Sequence, residues 1–274
     1  YREKARAEAG LFFCGPLFFI VSLIGCIGGF KNIIHFMSVG YGFSVAALGA
    51  TYMVTAILTE MSWSFATILL CILLIIYGLR LALFLLFREK NAAYQASQGS
   101  SDNPVPVLIK ILMWISVSIL YILQTSGIFY RMFNGDSDKI ALPVVGALIS
   151  ITGLMIEALS DKEKTEQKAK NPEMVATQQL FKIVRCPNYF GEVLFWTGIF
   201  VSSLDSLKGT FQWITVILGY FLIVFVMFHG AGRLDKKQEK RYGLDPTYRA
   251  YADHTPIIIP LLPLHHIGNY KKTN

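Results

Sequence analysis

Residues 64–87 read SFATILLCILLIIYGLRLALFLLF, a run in which Arg80 is the only charge. A hydrocarbon core about 30 Å thick is crossed by a helix of about 20 apolar residues rising 1.5 Å each. A membrane β-strand needs only about 10 residues that alternate apolar and polar. This run is too long and too uniformly apolar for that, so it predicts a membrane helix. Six more runs carry the same signature, over residues 11–30, 35–58, 107–127, 140–159, 189–204 and 211–229, the run at 189–204 being the shortest. The expectation is an all-α polytopic membrane protein, a seven-transmembrane-helix bundle in one domain (1–274), ending in a helical tail over 230–274.

Composition agrees with the runs. The chain is 54% hydrophobic and 16% charged, with a mean hydropathy of +0.49. Soluble domains carry about 25% charged residues, so a bilayer is the expected solvent. The first span is crowded with Gly10, Gly15, Pro16, Gly25, Gly28 and Gly29, small residues that let helices approach closely. Residues 95–103, QASQGSSDN, read as a loop between the third and fourth spans.

Several function classes drop out. The net charge is +7, but no basic stripe interleaved with aromatics lies outside the apolar runs, so no nucleic-acid partner is expected. The four cysteines form no CxxC pair, and no histidine shares a helical spacing with a carboxylate, so no metal site is expected. His265 and His266 read as a solvated tail. No phosphate-binding glycine loop follows a strand, so any cofactor must sit among helices and loops.

Orientation follows from Lys and Arg in alternate loops. One side holds six, including Arg131 and Lys208, and the other holds seventeen. The C-terminus is therefore expected to face the cytoplasm, or the matrix in a mitochondrial membrane. The endoplasmic reticulum, the bacterial inner membrane and the mitochondrial inner membrane are all compatible.

Four constellations could carry chemistry. Glu157, Asp161, Lys164 and Lys168 share one face of a helix continuing out of the fifth span, either a docking face for a polar ligand or a solvated helix end laced with ion pairs. In RCPNYFGE, residues 185–192, Pro187 can open the sixth helix. Asn188 and Glu192 then share a face, and a buried carboxylate there needs a counterpart such as Arg185, another cation or a ligand. Gly191 admits a second backbone or a flat ligand. In the tail, Gly243 reads as a helix end and Asp245-Pro246 as the start of another helix. Tyr248, Tyr251 and Thr255 line one face of that helix, and Arg233, Arg241 and Arg249 are forked donors for phosphate, carboxylate or anionic headgroups. Fourth, Arg80 and Arg88 near the end of the third span either face the bundle or snorkel.

RCPNYFGEVLFW, preceded by IEALSDKEK and followed by RYGLDPTYRAYADHTPIIIP, resembles the steroid 5α-reductase-like integral membrane family and its DUF1295 subgroup. YGLRLALFLLFR, residues 77–88, is similar to that family's third-span motif. The resemblance implies a seven-helix fold that binds NADPH in a cavity opening to the cytoplasm and reduces a C=C bond in a steroid-like or enoyl-lipid substrate, a hydrophobic small molecule drawn from the lipid bilayer. It places Asn188 and Glu192 at the nicotinamide end of the cofactor, and Asp161 and Lys168 around its sugar and phosphate groups. Arg185 and Tyr189 fall in the same motif, and Arg241, Tyr242, Tyr248 and Tyr251 match the C-terminal signature near the cofactor. Tyr77, Tyr41 and Tyr52 are the tyrosines available as a catalytic acid. Cys186 stands where the family's usual motif has His. The Gln-Glu pair of the steroid reductases is missing from the second span, and Glu60 lies beyond its end. Two alternatives remain from the residues: an S-adenosylmethionine-dependent membrane methyltransferase, which shares the Arg-x-Pro-x-Tyr-x-Gly pattern, and a non-catalytic relative serving as a structural subunit of a membrane complex.

Overall fold

The apolar runs fold as helices wherever the chain is described. The computed structural model describes residues 2–59, 64–90, 105–135 and 140–267, with side chains from residue 14 onward. The expected loop over 95–103 and Glu60 lie outside the described residues. Among the described residues the α-helices are α1 (Arg2–Gly25), α2 (Val39–Leu58), α3 (Phe65–Glu89), α4 (Val107–Phe133), α5 (Ala141–Lys170), α6 (Pro187–Ser203), α7 (Gly209–Tyr242) and α8 (Pro246–His254). Short 3-10 turns cover Ile27–Phe30, Ile33–Met37 and Gln179–Lys182, and there is no strand among the described residues.

Among the described residues, five segments are long and apolar enough to cross a membrane: Ile33–Leu58, Phe65–Glu89, Val107–Phe133, Ala141–Lys170 and Gly209–Tyr242. The first and sixth expected spans fall on shorter apolar helices, Cys14–Gly25 of α1 and the 17-residue α6. α5 and α7 have 30 and 34 residues, so at 1.5 Å per residue they run about 45–50 Å. Both outreach the hydrocarbon core and carry polar turns beyond it.

The chain divides into two compact units, Tyr1–Ala147 with Ile199–Tyr220, and Leu148–Gly198 with Phe221–Asn274. In the first, α2 and α3 touch backbone to backbone. A Cβ on Gly42 would lie 2.6 Å from the Gly78 carbonyl oxygen, and one on Gly78 would lie 2.3 Å from the Gly42 oxygen. With no hydrophobic drive between helices in lipid, such contact is what holds them. Gly25 meets Ser44 of α2 in the same way, while Gly15 meets nothing within 4 Å, so only part of the glycine crowding in the first span serves packing. Hydroxyls tie α1 to α2 and α4: Ser44 donates to the Ser22 carbonyl at 3.1 Å, and Ser22 to that of Ser118 at 3.3 Å.

Arg131, which the charge count treats as a loop cation, stands in the last turn of α4 and is 1% exposed. It meets Asp205 at 2.6 Å and donates to the Ser202 carbonyl at 3.2 Å. Asn134 donates to the Ser206 carbonyl at 2.8 Å and to the Gln212 side chain at 2.6 Å beside that pair. His35 and Glu89 form a half-buried pair at 2.8 Å elsewhere in the first unit.

Candidate functional site

The second unit is built on a crossing of α5 and α6 as close as that of α2 and α3. A Cβ on Gly153 would lie 2.4 Å from both the Gly191 carbonyl oxygen and the Phe195 nitrogen, and one on Gly191 would lie 2.7 Å from the Glu157 nitrogen. Gly191 thus admits another backbone. Ser150 donates to the Phe195 carbonyl at 2.9 Å along the same seam. Glu157 is buried at this crossing, and Glu192, the residue after Gly191, is buried too. One turn beyond Glu157, Asp161 is buried, with Lys164 half-buried on the same face. Asn188 is half-buried in the first turn of α6. The outward side of α5 behaves as an ordinary solvated helix, with an exposed Lys162–Glu166 pair at 3.9 Å.

Farther out, Lys168 donates to the Tyr242 hydroxyl at 3.0 Å and to the Pro172 carbonyl at 3.1 Å. The Lys168 ammonium and the Arg241 guanidinium lie 5.4 and 5.3 Å from the Tyr242 ring centre. Arg241 also reaches Glu173 at 3.1 Å. Two cations therefore converge on one half-buried aromatic ring at the water-facing end of the site.

Behind the site is a buried lock. Arg185 and Asp235 pair at 2.8 Å with side chains 1% and 0% exposed. Arg185 also donates to the His265 carbonyl, and to the Tyr248 hydroxyl at 3.5 Å. The residues after α8 are sewn back onto this corner: the Arg185 and Cys186 amides donate to the Pro256 and Ile257 carbonyls at 2.9 and 2.8 Å. His265 and His266 are half-buried here, not a solvated tail, because His266 meets Asp253 at 3.0 Å and the Ile267 amide donates to Asp235 at 3.3 Å. Burial works against the charge on Arg185, but Asp235, Tyr248 and Cys186 together outweigh it and hold the guanidinium above its ordinary pKa. Burial pushes the Tyr248 hydroxyl up to about 12, with Arg185 opposing.

Each expected cofactor residue now has a place. Asn188, Glu192, Asp161, Lys168, Arg241 and Tyr242 present polar atoms around the α5–α6 crossing and its outer end. Arg185 is engaged by Asp235, Tyr248 is buried beside it, and Tyr251 donates to the Phe181 carbonyl at 2.7 Å. Tyr189 packs on Gly230, its hydroxyl oxygen 3.2 Å from where a Cβ would stand. Asp235 is not legible in the sequence: it sits among the lysines of RLDKKQEK and looks like one more solvated charge. Asp245 caps α8 as its position before Pro246 suggests, accepting from the Thr247 amide at 2.8 Å. Arg249 reaches Glu239 at 2.6 Å.

Cys186 lies in an apolar core with Ala231, Ile257 and Ile258. Burial pushes its thiol up to about 12; Lys164 and Arg185 pull it down without cancelling that. Cys186 should therefore resist N-ethylmaleimide at pH 8 in the native protein and react after denaturation, because the thiolate is the nucleophile. Rapid native labelling, read by peptide mass spectrometry, would show that the tail does not stay closed over it.

The tyrosines considered as acids belong to the first unit. The Tyr41 and Tyr77 hydroxyls are 3.0 Å apart and both side chains are buried. Tyr52 is 2.7 Å from the Thr125 hydroxyl.

A family model described as "Protein of unknown function (DUF1295)" matches residues 27–255. Steroid 5-alpha-reductase DET2 of Arabidopsis thaliana is 33% identical over 81 residues, a stretch covering 29% of this chain and 28% of that relative. No solved structure matches the chain.

Proposed function

This chain belongs to the DUF1295 family, and from that premise we propose that it is an NADPH-dependent membrane reductase of a C=C bond in a steroid-like or enoyl-lipid substrate. One structural observation supports the reading most: three carboxylates, Glu157, Asp161 and Glu192, are buried on α5 and α6 around their crossing. Gly153 and Gly191 already hold those helices together, and burying carboxylates is costly.

The donor set suits the cofactor. Asn188 and Glu192 can hold a carboxamide, Asp161 can accept from ribose hydroxyls, and Lys168 with Arg241 can meet phosphate. When bound, NADPH supplies the hydride. The chain's part is to orient it, to keep water from the reacting carbon and to provide a proton. Tyr77, Tyr41 and Tyr52 are the proposed candidates for the proton source. Arg185, Tyr189, Tyr248 and Tyr251 are proposed as positioning residues that hold the start of α6 and the tail in register. The substrate is a hydrophobic small molecule that enters from the bilayer.

In this reading α1 and α6 complete a single domain of seven spans, with the C-terminus cytoplasmic or in the matrix. A tag after Asn274 should be digested by protease only when it lies on that side of sealed vesicles of known orientation. Digestion from the opposite side would overturn the topology.

NADPH should bind the purified protein more tightly than NADH, because the 2′-phosphate adds about 1.5–2 negative charges. Glu192→Gln should weaken NADPH binding by about tenfold or more, the range for hydrogen bonds to charged groups, with the apo melting temperature unchanged. A large melting drop with unchanged affinity would make Glu192 a structural residue and remove it from the site. Binding of S-adenosylmethionine in place of NADPH would establish the methyltransferase reading. Binding of neither would leave a structural subunit of a membrane complex.

A further inference from the structure

A groove of about 240 Å³ lies along the outside of α7, where its apolar run ends. Phe225 and Phe228 form one end and Ile267 faces them from the returning tail. Gly232 keeps the floor low: a Cβ there would lie 3.4 Å from the Ile267 side chain. His229, Arg233 and Lys236 form the other end, and their i, i+4, i+7 spacing puts them on one face of the helix. We propose that this groove binds an anionic phospholipid of the bilayer, its acyl chain against Phe225 and Phe228 and its phosphate between Arg233 and Lys236.

Three observations select that occupant. Phe225 is 66% exposed and continues an outward apolar face with Phe221 and Leu222. A water-soluble anion has no use for that end of the groove, whereas an acyl chain does. The change from aromatic to basic residues falls within one turn, at the point where the helix leaves the hydrocarbon, which is the depth of a headgroup phosphate. Finally, Arg185, Arg241 and Arg249 each meet a carboxylate, whereas Arg233 and Lys236 have no acidic partner among the described residues. Their charge remains available to a ligand from outside the chain. The site is independent of the reductase reading.

The test uses the delipidated full chain in detergent, titrated with phosphatidylglycerol or with phosphatidylcholine of the same acyl chains, and read by native mass spectrometry. Phosphatidylglycerol should bind in preference. Arg233→Gln and Lys236→Gln should each cost about fivefold in its affinity, with Arg233→Lys largely retaining it. Gly232→Leu should reduce binding of both lipids by filling the groove. Equal binding of the two lipids, or unchanged binding in the charge variants, would overturn the proposal. So would full competition by inorganic phosphate, which would make it an ion site. A dimer dissociated by Gly232→Leu would make the groove a contact between copies and would also overturn it. Both charge variants are at exposed positions, so the result does not depend on Gly232→Leu folding.

Discussion

Asp235→Ala should lower the stability of the purified protein by about 3–5 kcal/mol, because it strands a buried guanidinium. Arg185 is 2% exposed and its other partners, the His265 carbonyl and the Tyr248 hydroxyl, cannot neutralise a charge. Arg185→Ala should cost a similar amount by leaving Asp235 buried with its charge. The double variant Arg185→Met with Asp235→Leu should recover most of the loss, since replacing a buried pair with apolar groups of similar size is often neutral. Thermal unfolding followed with a thiol-reactive fluorophore, in a background with Cys14, Cys26 and Cys71 replaced by alanine, reports this corner through Cys186. Single variants that melt like the parent would show that the pair does not organise the tail. If Arg185 instead contacts the cofactor, Arg185→Ala should weaken NADPH binding in protein whose apo melting is unchanged.

Gly153→Ala should be destabilising by about 1–3 kcal/mol, although alanine is the better helix former. The propensity gain is at most about 1 kcal/mol. Against it stands a Cβ placed 2.4 Å from the Gly191 oxygen and 2.4 Å from the Phe195 nitrogen. Both obstacles are backbone, so two helices must move apart, and overpacking of that kind costs about 1–3 kcal/mol and sometimes more. The shift separates Glu157 from Glu192, so under the proposed function NADPH affinity should fall with stability. A stabilised Gly153→Ala protein would mean that α5 and α6 do not cross here. By contrast, Gly15→Ala, where nothing lies within 4 Å, should be neutral or slightly stabilising in the same melting assay.

The amino-acid sequence by itself determined the membrane helices, the polar face running from Glu157 to Lys168, the pairing of Asn188 with Glu192 on one face, and the start of α8 at Asp245-Pro246. These are local properties, readable from run length, the 3.6-residue period and cap chemistry within a few positions. Only the tertiary structure decided what each charge meets. Arg185 finds Asp235 and Arg131 finds Asp205 across 50 and 74 residues of chain, and nothing local distinguishes Asp235 from its solvated neighbours. The same holds for Gly191, whose sequence allows either a ligand or a backbone beside it and which in fact lies against Gly153. It holds too for His265 and His266, which read as tail and instead close the buried pair. Desolvation and partner choice belong to helix crossings, and crossings are set by which small residues let distant backbones touch.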